Sequence, residues 1–168
     1  GVLSHLQGLA DALNLINATF NRMPERCDPY IYYHRVRPWI HGTYNNKLFP
    51  HGVVYEGVAD HEGKPQKFRG ETGAQSSIIP LLDHVLGIGH EKNILSEHLS
   101  EIRWHMPSGH RLLIEEVEER PSMREYVATM PFLIPWFNVC VGRLADFRRK
   151  HLEYAGATDN KTLSSSAT

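Results

Sequence analysis

Apolar positions recur along this chain at spacings of three and four residues, the period of helices laid against a core. In the first segment Leu6, Leu9, Leu13, Ile16, Phe20 and Met23 keep a 3-4-3-4-3 spacing. That predicts a long helix with a narrow apolar seam, ended near Met23 because Pro24 disfavours continuation. Asp28-Pro29 predicts an N-cap and a first-turn proline for a short second helix, YIYYHRVRPWIH. Pro38 inside it implies a kink or an early end. Tyr33 and Arg37 are four apart and share a face. From 42 to 73 the pattern dissolves into turn residues, among them Asn45, Asn46, Pro50, Gly63 and Pro65. Only GVVYEGV, residues 52–58, offers a short extended piece.

Helical periodicity then resumes. QSSIIPLLDHVLGIG predicts a helix from Ser76 or Ser77 to about Leu86, stopped by Gly87. Asn93 can cap NILSEHLSEIRWHM, where Leu95, Leu99, Ile102 and Met106 repeat at 4, 3 and 4. Ser108 opens GHRLLIEEVEER, and Ser122 with Glu125 forms a capping box before MREYVAT. The last stretch, residues 135–155, carries Cys140, Leu144, Phe147 and His151 at 4, 3 and 4. Helices, short connections and no credible sheet predict an all-α helical bundle over residues 1–155. The Ser-rich segment 156–168 is expected to be a disordered tail. The loop at 42–73 is longer than compact domains usually carry without purpose.

Composition narrows the picture. A chain of 168 residues, 41% hydrophobic and 22% charged, is long enough for one domain with a real core. A net charge of −1 gives no electrostatic case for nucleic acid or an anionic membrane. No apolar run approaches the roughly 20 residues that span a bilayer. Cys27 and Cys140 make no disulfide framework, so a reducing, cytoplasmic setting is the expectation. The chain opens at Gly1 directly in a helical pattern and is expected to begin inside a larger protein.

Eleven histidines invite a metal, yet no HExxH, no HxxxH pair on one helix and no Cys/His zinc pattern occurs. C-x-x-C-H and G-x-S-x-G are absent, and RGETGAQ lacks the Lys-Ser/Thr of a phosphate loop. Hydrolase and nucleotide-binding readings fall away. His151 stands apart, on an apolar stripe among Arg143, Arg148, Arg149 and Lys150. An imidazole on such a stripe needs a hydrogen-bonding acceptor or a metal, and taken alone the hydrogen-bonded core histidine is the commoner case. Taken singly, Arg37 reads as a surface cation, and Tyr32 and Tyr33 as core aromatics. Asp83 and Arg148 read as a structural ion pair, and Gly70, Thr72 and Gly73 as turn residues. Together, an apolar-face histidine and a Tyr-Tyr-x-x-x-Arg face would suit a non-covalent haem and an arginine that holds an anionic ligand group.

Four blocks occur in order: GVVYEGV, KFRGETGAQSSIIPLLDHVLGI, RWHMPSGHRLLIEEVEERPSMREYV and CVGRLADFRRKHLEYA. The chain resembles the C-terminal, haem-binding part of the indoleamine 2,3-dioxygenase family, collinearly from about Leu6 to Tyr154. The most specific pieces are GAQSS followed by Asp83, the MPSGHR turn, and R-x-x-H at Arg148 to His151. The resemblance implies a non-covalent haem b with His151 as its iron ligand, through Nε2. It places Arg148 near the haem propionates with Asp83 as its acidic partner, and Phe20 and Met23 at haem-contacting positions. It places Arg37 against the substrate carboxylate and Tyr32 and Tyr33 beside the indole, where the family has phenylalanines. Thr72 and Gly73 fall on a loop over haem and substrate. No residue of this chain is assigned to the chemical step itself.

The implied reaction inserts both atoms of O2 across the indole C2–C3 bond of L-tryptophan or a related indole, giving N-formylkynurenine. The family's N-terminal domain, its distal-wall helices and the glycine- and threonine-rich loop after the proximal helix are not in this sequence. A missing N-terminal part or a second chain is therefore expected to complete the site. Two other readings stay open: a relative that oxidises an indole amino acid differently, and a non-catalytic haem or O2-binding protein.

Overall fold

The computed structural model describes the backbone of residues 1–91 and 94–165; the side chains of 94–98 and 157–165 lie outside the description. It is all-α, with no strand among the described residues. The helices are α1 (Val2–Asn21), α2 (Pro29–Ile31), α3 (Arg37–Ile40), α4 (Ile78–Leu86), α5 (Ile94–Arg103), α6 (Ser108–Glu118), α7 (Met123–Ala128) and α8 (Ile134–Ser165). The chain divides into two compact units, one of Gly1–Cys27 with Ala74–Thr168 and the other of Asp28–Gly73.

The first unit is organised around α1 and α8. Leu6, Ala10 and Leu13 of α1 are buried with Phe137, Cys140 and Leu144 of α8, and Leu86, Val127 and Leu133 close the same core. Contacts climb in one order on both helices: Leu6 meets Cys140, Ala10 meets Arg143, and Phe20 meets Phe147 and Tyr154. The two helices therefore run parallel. The buried line on α1 is Leu6, Ala10 and Leu13, continued by half-buried Asn17 and Phe20. Ile16 and Met23, expected on the seam, are exposed. An i+3 and an i+4 neighbour are equally compatible with the spacing, and only the partner helix decides between them.

Helix ends follow local chemistry. Helix α1 stops at Asn21, two residues before Met23, and Pro24 sits in a separate 3-10 turn, Met23–Glu25. In α4, Gly87 adopts a left-handed φ of 62°, and the Ile88 amide donates to the Asp83 carbonyl at 2.8 Å, a Schellman closure. Ser122 caps α7, its hydroxyl accepting from the Glu125 amide. Helix α5 ends at Arg103 rather than Met106, and i−3 bonds to Trp104, His105 and Met106 tighten its exit. The proposed cap Asn93 and the side chain of Leu95 lie outside the described residues. Helix α8 continues past Ala155 to Ser165, so the segment expected as a tail falls partly on this helix and partly outside the described residues. Among the described residues no single helix is long and apolar enough to cross a membrane.

In the second unit the helical stretch does not stop at Pro38 but runs on to Ile40. A wide π-turn, Tyr32–Val36, precedes α3, with the Arg37 amide bonded to the Tyr32 carbonyl five residues back. Proline has no N–H for the His34 carbonyl and its ring would strike it, so the chain widens one turn earlier. The long loop is tied by two antiparallel bridges, Gly42 with Arg69 and Val53 with Gln66. The expected extended piece at 52–58 reduces to the second of these, whose two amides and carbonyls pair at 2.9 Å. Gly70 passes so close to Ile40 and His41 that a Cβ would overlap their backbone atoms. It is a crossing point of two chain segments rather than a simple turn residue.

Candidate functional site

His151 lies on α8 two turns beyond the last fully buried position of its stripe. Cys140 and Leu144 are buried and Phe147 half-buried, but His151 is exposed. The sequence placed it in an apolar interior. The structure corrects this because α1, the helix that covers the stripe, ends at Asn21, beside Tyr154, whose hydroxyl donates to the Phe20 and Asn21 carbonyls. Its ring has no hydrogen bond or ion pair among the described residues, which removes the hydrogen-bonded core histidine as an account of it.

The apolar wall beside it is Phe20. Its ring lies 4.9 Å from that of Phe147, 5.2 Å edge-on from that of Tyr154 and 6.5 Å, nearly parallel, from the imidazole. Phe147, His151 and Tyr154 are successive positions of one α8 face, so a single α1 side chain supports all three. Met23 follows on the turn after α1 and is exposed. The cations crowding this segment each have a carboxylate or carbonyl: Arg149 meets Asp146 at 2.8 Å, Lys150 meets Glu153 at 2.6 Å, and Arg143 turns to the Ala10 carbonyl. The hydrogen bond to Glu153 holds Lys150 above the usual lysine range. None of these cations is aimed at the imidazole.

Arg148, one turn before His151, reaches across to α4. Its Nη2 donates to both carboxylate oxygens of Asp83, at 2.5 and 2.6 Å. Asp83 is the buried charged residue of the described chain, 7% exposed. His90 Nε2 lies 2.8 Å from Asp83 Oδ2, a contact absent from the sequence reading. The spacing from Asp83 to His90 crosses the Gly87 reversal, so no helical or strand period announces it. Tyr154 was within the last block, but only the position of Phe20 reveals its packing role.

These residues suit one kind of cofactor better than another. Among the described residues no three His, Cys, Asp or Glu side chains are grouped to hold a metal ion by protein ligands alone. An accessible, unpartnered imidazole beside an aromatic wall suits a flat apolar group whose metal needs a single protein nitrogen. A guanidinium with donors to spare, one turn away, suits that group's anionic edge.

The remaining candidates lie in the second unit. Arg37 stacks its guanidinium over the Tyr33 ring, 5.3 Å from the centroid, as their four-residue spacing predicted. Arg37 and Tyr32 are exposed and Tyr33 is half-buried. Thr72 is exposed, and Gly73 opens the short turn Gly73–Gln75 with open space where a Cβ would stand. The structure thus brings Phe20, Asp83, Arg148 and His151 into one unit and Tyr33 with Arg37 into the other.

Comparison with known proteins bears on this arrangement. The family model for indoleamine 2,3-dioxygenase matches residues 1–156. The chain is 33% identical over 153 residues to human indoleamine 2,3-dioxygenase 2, covering 90% of this chain and 37% of the relative. It is 35% identical over 152 residues to a 6-hydroxytryptophan 2,3-dioxygenase of Fusarium equiseti, covering 86% of this chain and 36% of the relative. A protein of Haliotis madaka named myoglobin is 33% identical over 150 residues, covering 86% of this chain and 38% of the relative. The chain therefore spans little more than a third of the length of these relatives.

Proposed function

The chain belongs to the indoleamine 2,3-dioxygenase family, and on that premise we propose that it forms the haem-binding part of a dioxygenase acting on L-tryptophan or a related indole. The reaction inserts both atoms of O2 across the indole C2–C3 bond and yields N-formylkynurenine. The observation that carries this reading is His151: exposed, without a hydrogen-bonding partner among the described residues, and set beside Phe20. Haem b, when bound, supplies the oxygen chemistry.

The chain's own residues supply position. His151 offers Nε2 to the iron, and Phe20 and Met23 give an apolar edge. Arg148, braced by Asp83, offers its remaining donors to an anionic group of the cofactor. Arg37 pairs with the substrate carboxylate, its guanidinium stiffened by the stack on Tyr33. Tyr32 and Tyr33 flank the indole, and Thr72 and Gly73 lie over it. We assign the opposite wall of the pocket to polypeptide outside this chain, either an N-terminal part or a second chain. The free thiols of Cys27 and Cys140 suit a reducing, cytoplasmic setting.

The protein carrying this chain, reconstituted with haem, is expected to give a Soret band that His151→Ala shifts or abolishes. An unchanged spectrum in the variant would sink the ligand assignment. Aerobic incubation with tryptophan and a reductant should then yield N-formylkynurenine. The Tyr32 and Tyr33 departures and the similarity to a 6-hydroxytryptophan 2,3-dioxygenase favour a second reading, a modified indole as substrate. Turnover of the hydroxylated indole but not of tryptophan would select it. A stable O2 complex without product would select the non-catalytic reading, to which the similarity to a myoglobin is relevant.

A further inference from the structure

We propose that His90 is a positioning residue that sets the orientation of Arg148 through Asp83. The inference rests on the haem reading above, in which Arg148 holds an anionic group of the cofactor. Arg148 meets both Asp83 oxygens through one nitrogen, Nη2. A guanidinium beside a carboxylate commonly adopts the two-nitrogen fork instead, one N–H to each oxygen. Here Nη1 and Nε make no hydrogen bond among the described residues, and the side chain is 32% exposed, so donors remain for a ligand.

His90 accounts for the end-on geometry. Its Nε2 takes Asp83 Oδ2 at 2.8 Å, so that oxygen is shared between imidazole and guanidinium. The carboxylate is then held from two sides, and rotation of Arg148 into the fork would crowd the imidazole contact. The Schellman reversal at Gly87 delivers His90 to this place, since the chain turns back over the end of α4. His90 itself is about half exposed, and Asp83 is its one hydrogen-bonding partner among the described residues. It contributes little to the core, so its removal tests position rather than folding.

The test compares haem with haem dimethyl ester, whose propionates carry no charge, in the protein carrying this chain. Binding of each is titrated in the wild type, His90→Ala and His90→Gln. His90→Ala should weaken haem binding about threefold to tenfold, the worth of one hydrogen bond, and leave ester binding and the His151-dependent spectrum unchanged. His90→Gln, whose amide can donate to the same oxygen, should restore haem affinity. Equal losses for haem and ester, or no loss at all, overturns the proposal. Failure of the wild type to bind haem removes the haem reading itself, whereas intact haem binding that is indifferent to His90 removes this inference alone.

Discussion

Asp83 carries more of the site than any other single side chain, because it is buried, charged and answered by one full cation and one imidazole. Asp83→Asn keeps the shape but removes the charge that compensates Arg148, and the amide can no longer accept at both atoms. Breaking a buried pair costs a few kcal/mol, and with Arg148 one-third exposed to screening water we expect a loss of about 2 kcal/mol. Urea unfolding measures it; a midpoint equal to the wild type would mean that the pair is only superficial. Cys140 gives the opposite case, a buried group that must stay neutral. Burial pushes its thiol above the ordinary 9.0, with the nearby Arg143 opposing only in part. The unfolded thiol ionises first as pH rises, so the unfolded state then binds fewer protons, and stability falls with alkaline pH beyond about 9. In the native protein at pH 8, Cys140 should resist alkylation while the half-buried Cys27 reacts, which mass spectrometry of the two cysteine peptides decides. At this scale the sequence was informative about residue type and silent about partners. Asp83 and Arg148 are 65 residues apart, and no periodicity connects them, so only the family resemblance paired them. His90 had neither route.

Element boundaries were readable where a side chain or a glycine creates them. Ser122 with Glu125 and Gly87 after Leu86 mark ends that the structure reproduces, since each satisfies an orphan amide or carbonyl on its own. The π-turn before Pro38 was not readable, because the clash it relieves has two local solutions and the sequence is compatible with both. The register of the α1 seam was equally ambiguous, and α8 decided it through Ala10, a residue too small to draw notice. The Gly87 turn links an element's end to the site. An alanine there must hold φ at 62° and bring its Cβ within 2.7 Å of Ser122 Oγ. We expect Gly87→Ala to cost about 1–2 kcal/mol in thermal or urea denaturation, from the left-handed strain and the displaced cap together. A neutral result would require α4 to end by some other closure.

At the scale of the whole chain, the candidate residues divide between two units, and the division itself makes a prediction. The proposed iron ligand His151, its aromatic wall and the Arg148–Asp83 pair all belong to the unit of α1, α4 and α8, whereas Arg37, Tyr32 and Tyr33 belong to the unit of residues 28–73. That second unit has no sheet or deep core; the exit of α3 and the end of the long loop are stitched where Gly70 meets Ile40 and His41. Gly70→Val would place a branched side chain inside that crossing. Because a Cβ alone already overlaps backbone atoms there, no rotamer relieves it, and the segments must separate. The Arg37 helix would lose its anchor, and the protein should lose affinity for the indole amino acid. Haem should still bind, with its Soret band intact, because none of the groups proposed to hold it lies in the disturbed unit. Arg37→Ala should give the same phenotype by the shorter route, deleting the proposed carboxylate partner without moving any backbone. Agreement of the two variants would assign substrate recognition to the second unit and cofactor binding to the first. Loss of the Soret band in Gly70→Val, with Arg37→Ala retaining it, would mean that the second unit also shapes the haem pocket, and the division of roles between the two units would have to be abandoned.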